Sequence, residues 1–152
     1  MNLQKIKAMT SINIKSVLTS GLIAGILINI SAISMVPAVG DQMTEVLASR
    51  GLPPMTNYSY LYFSGVSLIF GIFLMFLFAL LKPVFGSAWK AAVVSTLLLW
   101  LIAYVLSNVS LWVYGFMPAR LVLIGTVWGL GELSVAVFAG SKFYRERGYM
   151  RP

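Results

Sequence analysis

Residues 118–141 read PARLVLIGTVWGLGELSVAVFAGS, an apolar stretch with one acidic side chain, Glu132, near its middle. Three further apolar stretches precede it, at about 16–39, 58–81 and 88–112. A helix rises ~1.5 Å per residue, so each stretch is long enough to cross the roughly 30 Å of hydrocarbon in a bilayer. The sequence therefore predicts an all-α fold, in which four transmembrane helices form an antiparallel bundle.

The composition is typical of an integral membrane protein. Of the 152 residues, 59% are hydrophobic and only 10% are charged, whereas a soluble domain of this size needs more polar surface. We predict one membrane domain over residues 1–152, with tails at 1–15 and 142–152. The absence of cysteine and histidine excludes disulfides, thiolate metal sites and histidine-ligated haem. Catalytic signatures are also absent, so we expect no cofactor, no metal and no catalytic residue.

The basic residues lie at the ends of the spans. The formal net charge is +7, but a nucleic-acid-binding protein would gather its basic residues on one face of a folded module, so no nucleic-acid partner is expected. The distribution instead follows the positive-inside rule and predicts that both termini are cytoplasmic. The basic residues then on the cytoplasmic side are Lys5, Lys7, Lys15, Lys82, Lys90, Lys142, Arg145, Arg147 and Arg151.

The connection between the first two spans, residues 40–57, is the longest. Its apolar spacing predicts a short amphipathic helix from Asp41 through Arg50, lying on the outer membrane surface. Gly51 suits the left-handed position after such a helix, and Pro53 prevents the helix from continuing. A lid or partner-docking loop is the alternative.

The other connections are short, which pairs neighbouring helices as antiparallel hairpins. Lys82 and Pro83 are expected to end the second helix, because proline lacks a backbone N–H and clashes with the preceding turn. Pro118 is well placed at the start of the fourth helix.

Glu132 is the candidate polar centre. No basic residue lies at its depth in any span, so an intramolecular ion pair is not expected. Because an ionised carboxyl in the bilayer costs several kcal/mol, we expect Glu132 to be largely neutral and to bond with Asn29, Thr126 or a tyrosine hydroxyl. Two interpretations stay open: a proton-coupled carboxyl, and a polar contact that holds helices together.

Small residues share a face with Glu132 on the fourth span and form a similar face on the first span. Because small residues let membrane helices approach closely, we predict that these two helices touch there and that Glu132 points inward. The predicted helix-packing residues are Gly21, Gly25, Gly125, Gly129 and Ala136.

Three aromatic residues, Trp100, Tyr104 and Trp128, lie deeper in the spans than the aromatic residues at their ends. Their polar atoms need partners in the membrane. A lipid, quinone or pigment ring could stack on them, although ordinary core packing is the simpler interpretation.

Three segments carry a resemblance to a known class: GLIAGILIN at 21–29, LLKPVFG at 80–86 and WGLGE at 128–132. Together they resemble small uncharacterised four-span bacterial integral membrane proteins. The resemblance implies the bacterial cytoplasmic (inner) membrane, and it implies no activity.

Three hypotheses about function follow. The first is a non-catalytic accessory or scaffold subunit of a larger membrane complex, or a homo-oligomer, with membrane lipids and either other subunits or itself as partners. The second is a small proton-coupled transporter that uses Glu132. The third is a lipid- or pigment-binding membrane protein that uses the deep aromatic residues.

Overall fold

A computed structural model describes residues 12–146. Each of its four long helices is long and apolar enough to cross a membrane, so the predicted all-α arrangement of four membrane-length helices is confirmed. Most of the two predicted tails, residues 1–11 and 147–152, lies outside the described part of the chain. The helices are α1 (Ile14–Ser49), α2 (Asn57–Phe85), α3 (Ala88–Val113) and α4 (Ala119–Phe143).

Helix α1 is longer than predicted and contains the segment expected to form a separate surface helix. Residues 41–49 are helical, but they are the last turns of α1, so a separate amphipathic helix is not formed. Pro37 lies inside α1; a proline removes one helical hydrogen bond, and the turns on either side keep theirs. The predicted end is present, because Gly51 has a φ of 67° and the Leu52 N–H donates to the Leu47 carbonyl at 3.0 Å. That bond is the Schellman pattern.

Helix α2 also continues past a proline. Pro83 was expected to stop it, yet the helix runs to Phe85 and ends where Gly86 adopts a φ of 64°. The Gly86 N–H donates to the Lys82 carbonyl at 2.9 Å. Ser87 then caps the start of α3, so two residues turn the chain. Pro118 is the N-cap of α4, immediately before its first helical residue.

The helices form a closed ring in which α1 contacts α2 and α4, and α3 also contacts α2 and α4. Helices α1 and α2 approach most closely at three glycines. A Cβ built on Gly71 would lie 2.1 Å from the backbone nitrogen of Gly25 and 2.4 Å from the carbonyl oxygen of Gly21. Such backbone contact is how membrane helices gain packing energy without a hydrophobic driving force.

Helix α3 departs from α-helical geometry near its middle. Residues Leu101–Leu106 form a π-helical segment between two α-helical parts. π-Helical turns are rare and often occur at functional sites. Tyr104 lies within this segment and faces α4.

The bundle has two ends, which we call the terminal end and the loop end. The terminal end holds the start of α1, the α2–α3 connection and the end of α4. There, the Arg145 N–H donates to Ser16 Oγ at 2.6 Å and Asn13 Nδ2 donates to the Arg145 carbonyl at 3.1 Å. Lys82 also pairs with Glu146 at 3.0 Å. These contacts fasten the start of α1 to the end of α4.

The loop end holds the end of α1 and the α3–α4 connection. Arg50 donates a hydrogen bond through Nη2 to the Gly115 carbonyl. Its guanidinium also lies 5.4 Å from the centre of the Phe116 ring, within the range of a cation–π contact. Helix α1 is therefore connected to the α4 side of the bundle at both of its ends.

Candidate functional site

A groove of about 860 Å³ lies between α1 and α4. The α1 wall is formed by residues at helical spacing from Leu27 to Ser34, and the α4 wall by residues from Leu123 to Val135. Nearer the terminal end the same two helices close together: a Cβ on Gly140 would lie 3.1 Å from the Ser20 carbonyl oxygen. The groove is therefore the region in which α1 and α4 separate between their two points of attachment.

Glu132 forms part of the groove wall, and its carboxyl is held by α3. The Tyr104 hydroxyl donates a hydrogen bond to Oε1 of Glu132. Oε2 is shielded from solvent and accepts no hydrogen bond of normal length among residues 12–146, although the Ser31 hydroxyl of α1 lies near the carboxyl. A buried acceptor without a donor costs roughly 1–3 kcal/mol, so this oxygen is a place where a bound molecule would gain a hydrogen bond.

A second polar contact crosses the groove. Trp128 Nε1 donates to Ser31 Oγ at 2.9 Å, joining α4 to α1. Ser34, one turn further along α1, donates through its hydroxyl to the Ser31 carbonyl at 2.7 Å. The rest of the lining is aliphatic, so the groove is apolar with a few oxygen atoms grouped near Glu132.

Behind the groove, α3 and α4 are joined by further hydrogen bonds. Trp100 Nε1 donates to the Thr126 carbonyl at 2.8 Å, and Asn108 Nδ2 donates to Thr126 Oγ1 at 3.0 Å. Trp100 and Thr126 are thus each satisfied within the α3–α4 interface. Of the three deep aromatic residues, Trp128 alone lines the groove.

The structure separates the polar residues that the sequence grouped together. Asn29 was expected beside Glu132, but Ser64 Oγ of α2 donates to its Oδ1 at 3.4 Å. Thr126 bonds to Asn108 and to its own helix, through the Val122 carbonyl. Of the three predicted kinds of partner, it is a tyrosine hydroxyl, that of Tyr104, that donates to Oε1 of Glu132.

The small residues also face different neighbours from those expected. Gly21 and Gly25 pack on α2, where a Cβ at either position would meet Ile72 or Leu68 at 2.5 or 2.7 Å. Helices α1 and α4 do touch, as predicted, but the prediction that Gly21 and Gly25 form this contact is wrong. The reason is Gly71, which lets the α2 backbone come closer to α1 than any other helix does.

On α4, the predicted packing residues lie on the α3 side or in the core. A Cβ on Gly129 would lie 2.2 Å from the Tyr104 ring, whereas one on Gly125 would make an ordinary contact of 3.6 Å with Asn108. Ala136 is fully buried. Gly129 therefore provides the space in which Tyr104 reaches Glu132.

Ser31 and the groove itself were not predicted. The signal was present, because Leu27, Ile30, Ser31 and Ser34 fall on one helical face (i, i+3, i+4, i+7). A serine on an apolar helix is commonly satisfied by its own backbone, so this pattern is weak without knowledge of the facing helix. Within residues 12–146, no group of three or more acidic residues is placed to hold a metal ion.

Comparison of the chain with protein-family models, with curated proteins and with solved structures found no match. The inference about function therefore depends on the geometry of the groove.

Proposed function

We propose that this chain is a non-catalytic integral membrane protein that binds a lipid-soluble amphiphile in the α1–α4 groove. The observation that carries the proposal is an apolar groove whose wall includes Glu132, a carboxyl with one shielded oxygen that accepts no hydrogen bond among residues 12–146. Its volume of about 860 Å³ falls within the ~300–1,000 Å³ of typical small-molecule sites. Such sites combine a mostly apolar lining with a few polar groups that orient the guest.

The surroundings of the groove favour a guest that arrives from the bilayer. Leu123, Val127 and Val135 of the α4 wall are 64%, 69% and 63% exposed. In a membrane, side chains this apolar and this exposed lie against acyl chains. A molecule with an apolar body can pass from the lipid into the groove and place its polar group near Glu132.

Assembly is a second proposal, favoured by the shape of the same surface. Leu123, Val127, Gly131 and Val135 form an i+4 ridge on α4, and the glycine makes a notch in it. A ridge with a small residue is suited to close packing of another membrane helix. The accessory-subunit or homo-oligomer hypothesis would use this surface, with the helix of a partner subunit in place of the small molecule.

Proton-coupled transport is an alternative function that would use the same site. A proton-coupled transporter that uses Glu132 must first bind its substrate beside this carboxyl. Loss of proton flux in vesicles carrying the E132Q protein would support it, because glutamine keeps the hydrogen bonding and cannot titrate.

We also propose that the terminal end is cytoplasmic, in a bacterial inner membrane. The positive-inside rule supports this orientation, since four lysines lie at the helix termini of that end: Lys15, Lys82, Lys90 and Lys142.

The test blocks the groove and measures whether a probe still enters it. Gly131 lines the groove, and a Cβ there meets nothing within 4 Å, so the phenylalanine of G131F can leave the backbone without a clash and occupy part of the groove. A Cβ on Gly65 of α2 also meets nothing within 4 Å, and this residue does not line the groove, so G65F is the matched control. The probe is 12-bromododecan-1-ol, whose bromine quenches the fluorescence of a nearby tryptophan.

For protein reconstituted in phosphatidylcholine nanodiscs, we expect saturable quenching in the unmodified chain and in G65F, and its loss in G131F. The W128F variant should lose the same component, since Trp128 is the tryptophan on the groove wall. Equal quenching in G131F and G65F would contradict small-molecule binding. Native mass spectrometry of the same two variants tests assembly, which predicts a subunit complex that G131F disrupts.

A further inference from the structure

The polar atoms of the groove are mostly acceptors. The wall carries three polar side chains besides the indole of Trp128: Ser31, Ser34 and Glu132. The Trp128 N–H is used by Ser31 Oγ, and the Ser34 hydroxyl is used by the Ser31 carbonyl. The one remaining hydroxyl donor on the wall, that of Ser31, lies beside the Glu132 carboxyl, so a guest meets mainly acceptors.

Glu132 also has no cation of its own. Among residues 12–146 the one ion pair joins Lys82 to Glu146 at the terminal end. On α4 itself the nearest basic residues are Lys142 and Arg120, about 15 and 18 Å away at ~1.5 Å of rise per residue. The titratable group that faces Glu132 from a neighbouring helix is Tyr104, and Ser31 from α1 is uncharged.

We infer that the guest of the groove carries a positively charged nitrogen, so that the site takes a lipophilic amine; this inference rests on the proposed function. An ammonium group has three donors and no acceptor, which matches a wall rich in acceptors. It also supplies the counter-charge that the protein lacks around Glu132, in a low-dielectric setting where an unpaired charge is costly. A fatty acid or a phosphate would bring acceptors and negative charge to the same place.

The geometry allows the contact with little rearrangement. Glu132 already belongs to the wall, and the last torsion of a glutamate side chain is broad. Because Oε2 is shielded and Oε1 accepts from Tyr104, the guest makes its contact by turning the carboxyl out of this position. The aliphatic side chains of the two walls cover the apolar body of the amine while its nitrogen lies beside Glu132.

The experiment compares two probes that differ in one group. The probes are 12-bromododecylamine and 12-bromododecan-1-ol, each titrated into nanodiscs of zwitterionic phosphatidylcholine that carry the full chain. The Trp128-dependent quenching is read out as the difference from W128F. In the unmodified protein we expect the amine to bind at least about tenfold tighter than the alcohol, since a hydrogen bond to a charged group is stronger than one between neutral groups.

The E132Q variant should bring the ratio of the two affinities close to one while alcohol binding persists, which also shows that the variant is folded. Glu45 near the end of α1 is an acid away from the groove, so E45Q removes the same charge and should leave the ratio unchanged. If the amine and the alcohol bind equally to the unmodified protein, the inference is overturned and the proposed function stands. If neither probe quenches Trp128, both are overturned. A ratio that E132Q leaves intact overturns the role given to Glu132.

Discussion

The Tyr104 hydroxyl donates a hydrogen bond to Oε1 of Glu132, and this contact joins the π-helical segment of α3 to the middle of α4. The contact divides the carboxyl into two unlike oxygens: Oε1 accepts from α3, whereas Oε2 is shielded from solvent and accepts no hydrogen bond among residues 12–146. Tyr104 also packs on Phe70 of α2, with 6.3 Å between the ring centres. The bond therefore fixes Glu132 relative to two other helices.

Removing both partners should reveal how strongly they are coupled. Hydrogen bonds between membrane helices contribute about 0.6 kcal/mol on average and up to ~1.7 kcal/mol. We expect a double-mutant cycle of Y104F and E132A, measured by reversible unfolding in mixed detergent, to give a coupling free energy in this range, since each single substitution removes the hydrogen bond. Y114F is the control, because Tyr114 is 78% exposed in the α3–α4 connection. Additive effects of the two substitutions would show that the contact is not formed in the membrane.

Gly129 should be the residue on α4 least tolerant of a methyl group. The added Cβ would lie 2.2 Å from the Tyr104 ring, so the ring must move away from Glu132. We expect G129A to lower the free energy of unfolding by ~1–3 kcal/mol, the usual cost of overpacking. G131A, two residues further along α4, meets nothing within 4 Å and should be neutral or slightly stabilising, since alanine is the better helix former. Similar losses in both variants would contradict this packing.

The four spans could be predicted from the sequence because each depends only on the length and apolar character of a contiguous segment. The course of α1 could not, because it is decided by contacts between distant residues. The sequence predicted a first span that ends near residue 39, yet the helix continues to Ser49 and Arg50 bonds to the Gly115 carbonyl of the α3–α4 connection. The groove could not be predicted for the same reason, because its walls come from α1 and α4, which are far apart in the sequence.

The candidate site was predicted in part. Glu132 and Tyr104 were both singled out, and a tyrosine hydroxyl was named as a possible type of partner. Asn29 was misplaced because helical spacing gives the face of a helix without saying which neighbour that face meets. Gly71 on α2 determines which helix packs on the glycines of α1, and glycines occur on three of the four helices.

Gly71 should be more sensitive to substitution than Gly129. Its Cβ would meet the backbone of Gly21 and Gly25 at 2.1–2.4 Å, and backbone cannot move aside as a ring can. We expect G71A to separate α1 from α2 and to cost at least ~3 kcal/mol, at the upper end for overpacked sites. The control G65A lies on the same helix in open space and should unfold like the unmodified protein. A G71A variant of normal stability would mean that α1 and α2 do not touch at this point.

Arg50 should hold the end of α1 to the rest of the bundle. Its side chain donates to the Gly115 carbonyl and lies over Phe116, and few other contacts are available to the last turns of α1, whose residues are mostly exposed. We expect R50A to increase hydrogen exchange at the amides of residues 41–49 about tenfold, which corresponds to a loss of ~1.4 kcal/mol.

The matched control for that measurement is R120A. Arg120 is a basic residue at the start of α4, at the same end of the bundle, and no hydrogen bond or ion pair of its side chain is formed among residues 12–146. Its replacement removes the same charge and should leave exchange at residues 41–49 unchanged. Because α1 forms one wall of the groove, R50A should also weaken quenching of Trp128 by 12-bromododecan-1-ol. Unchanged exchange in R50A would show that the last turns of α1 are held by other contacts.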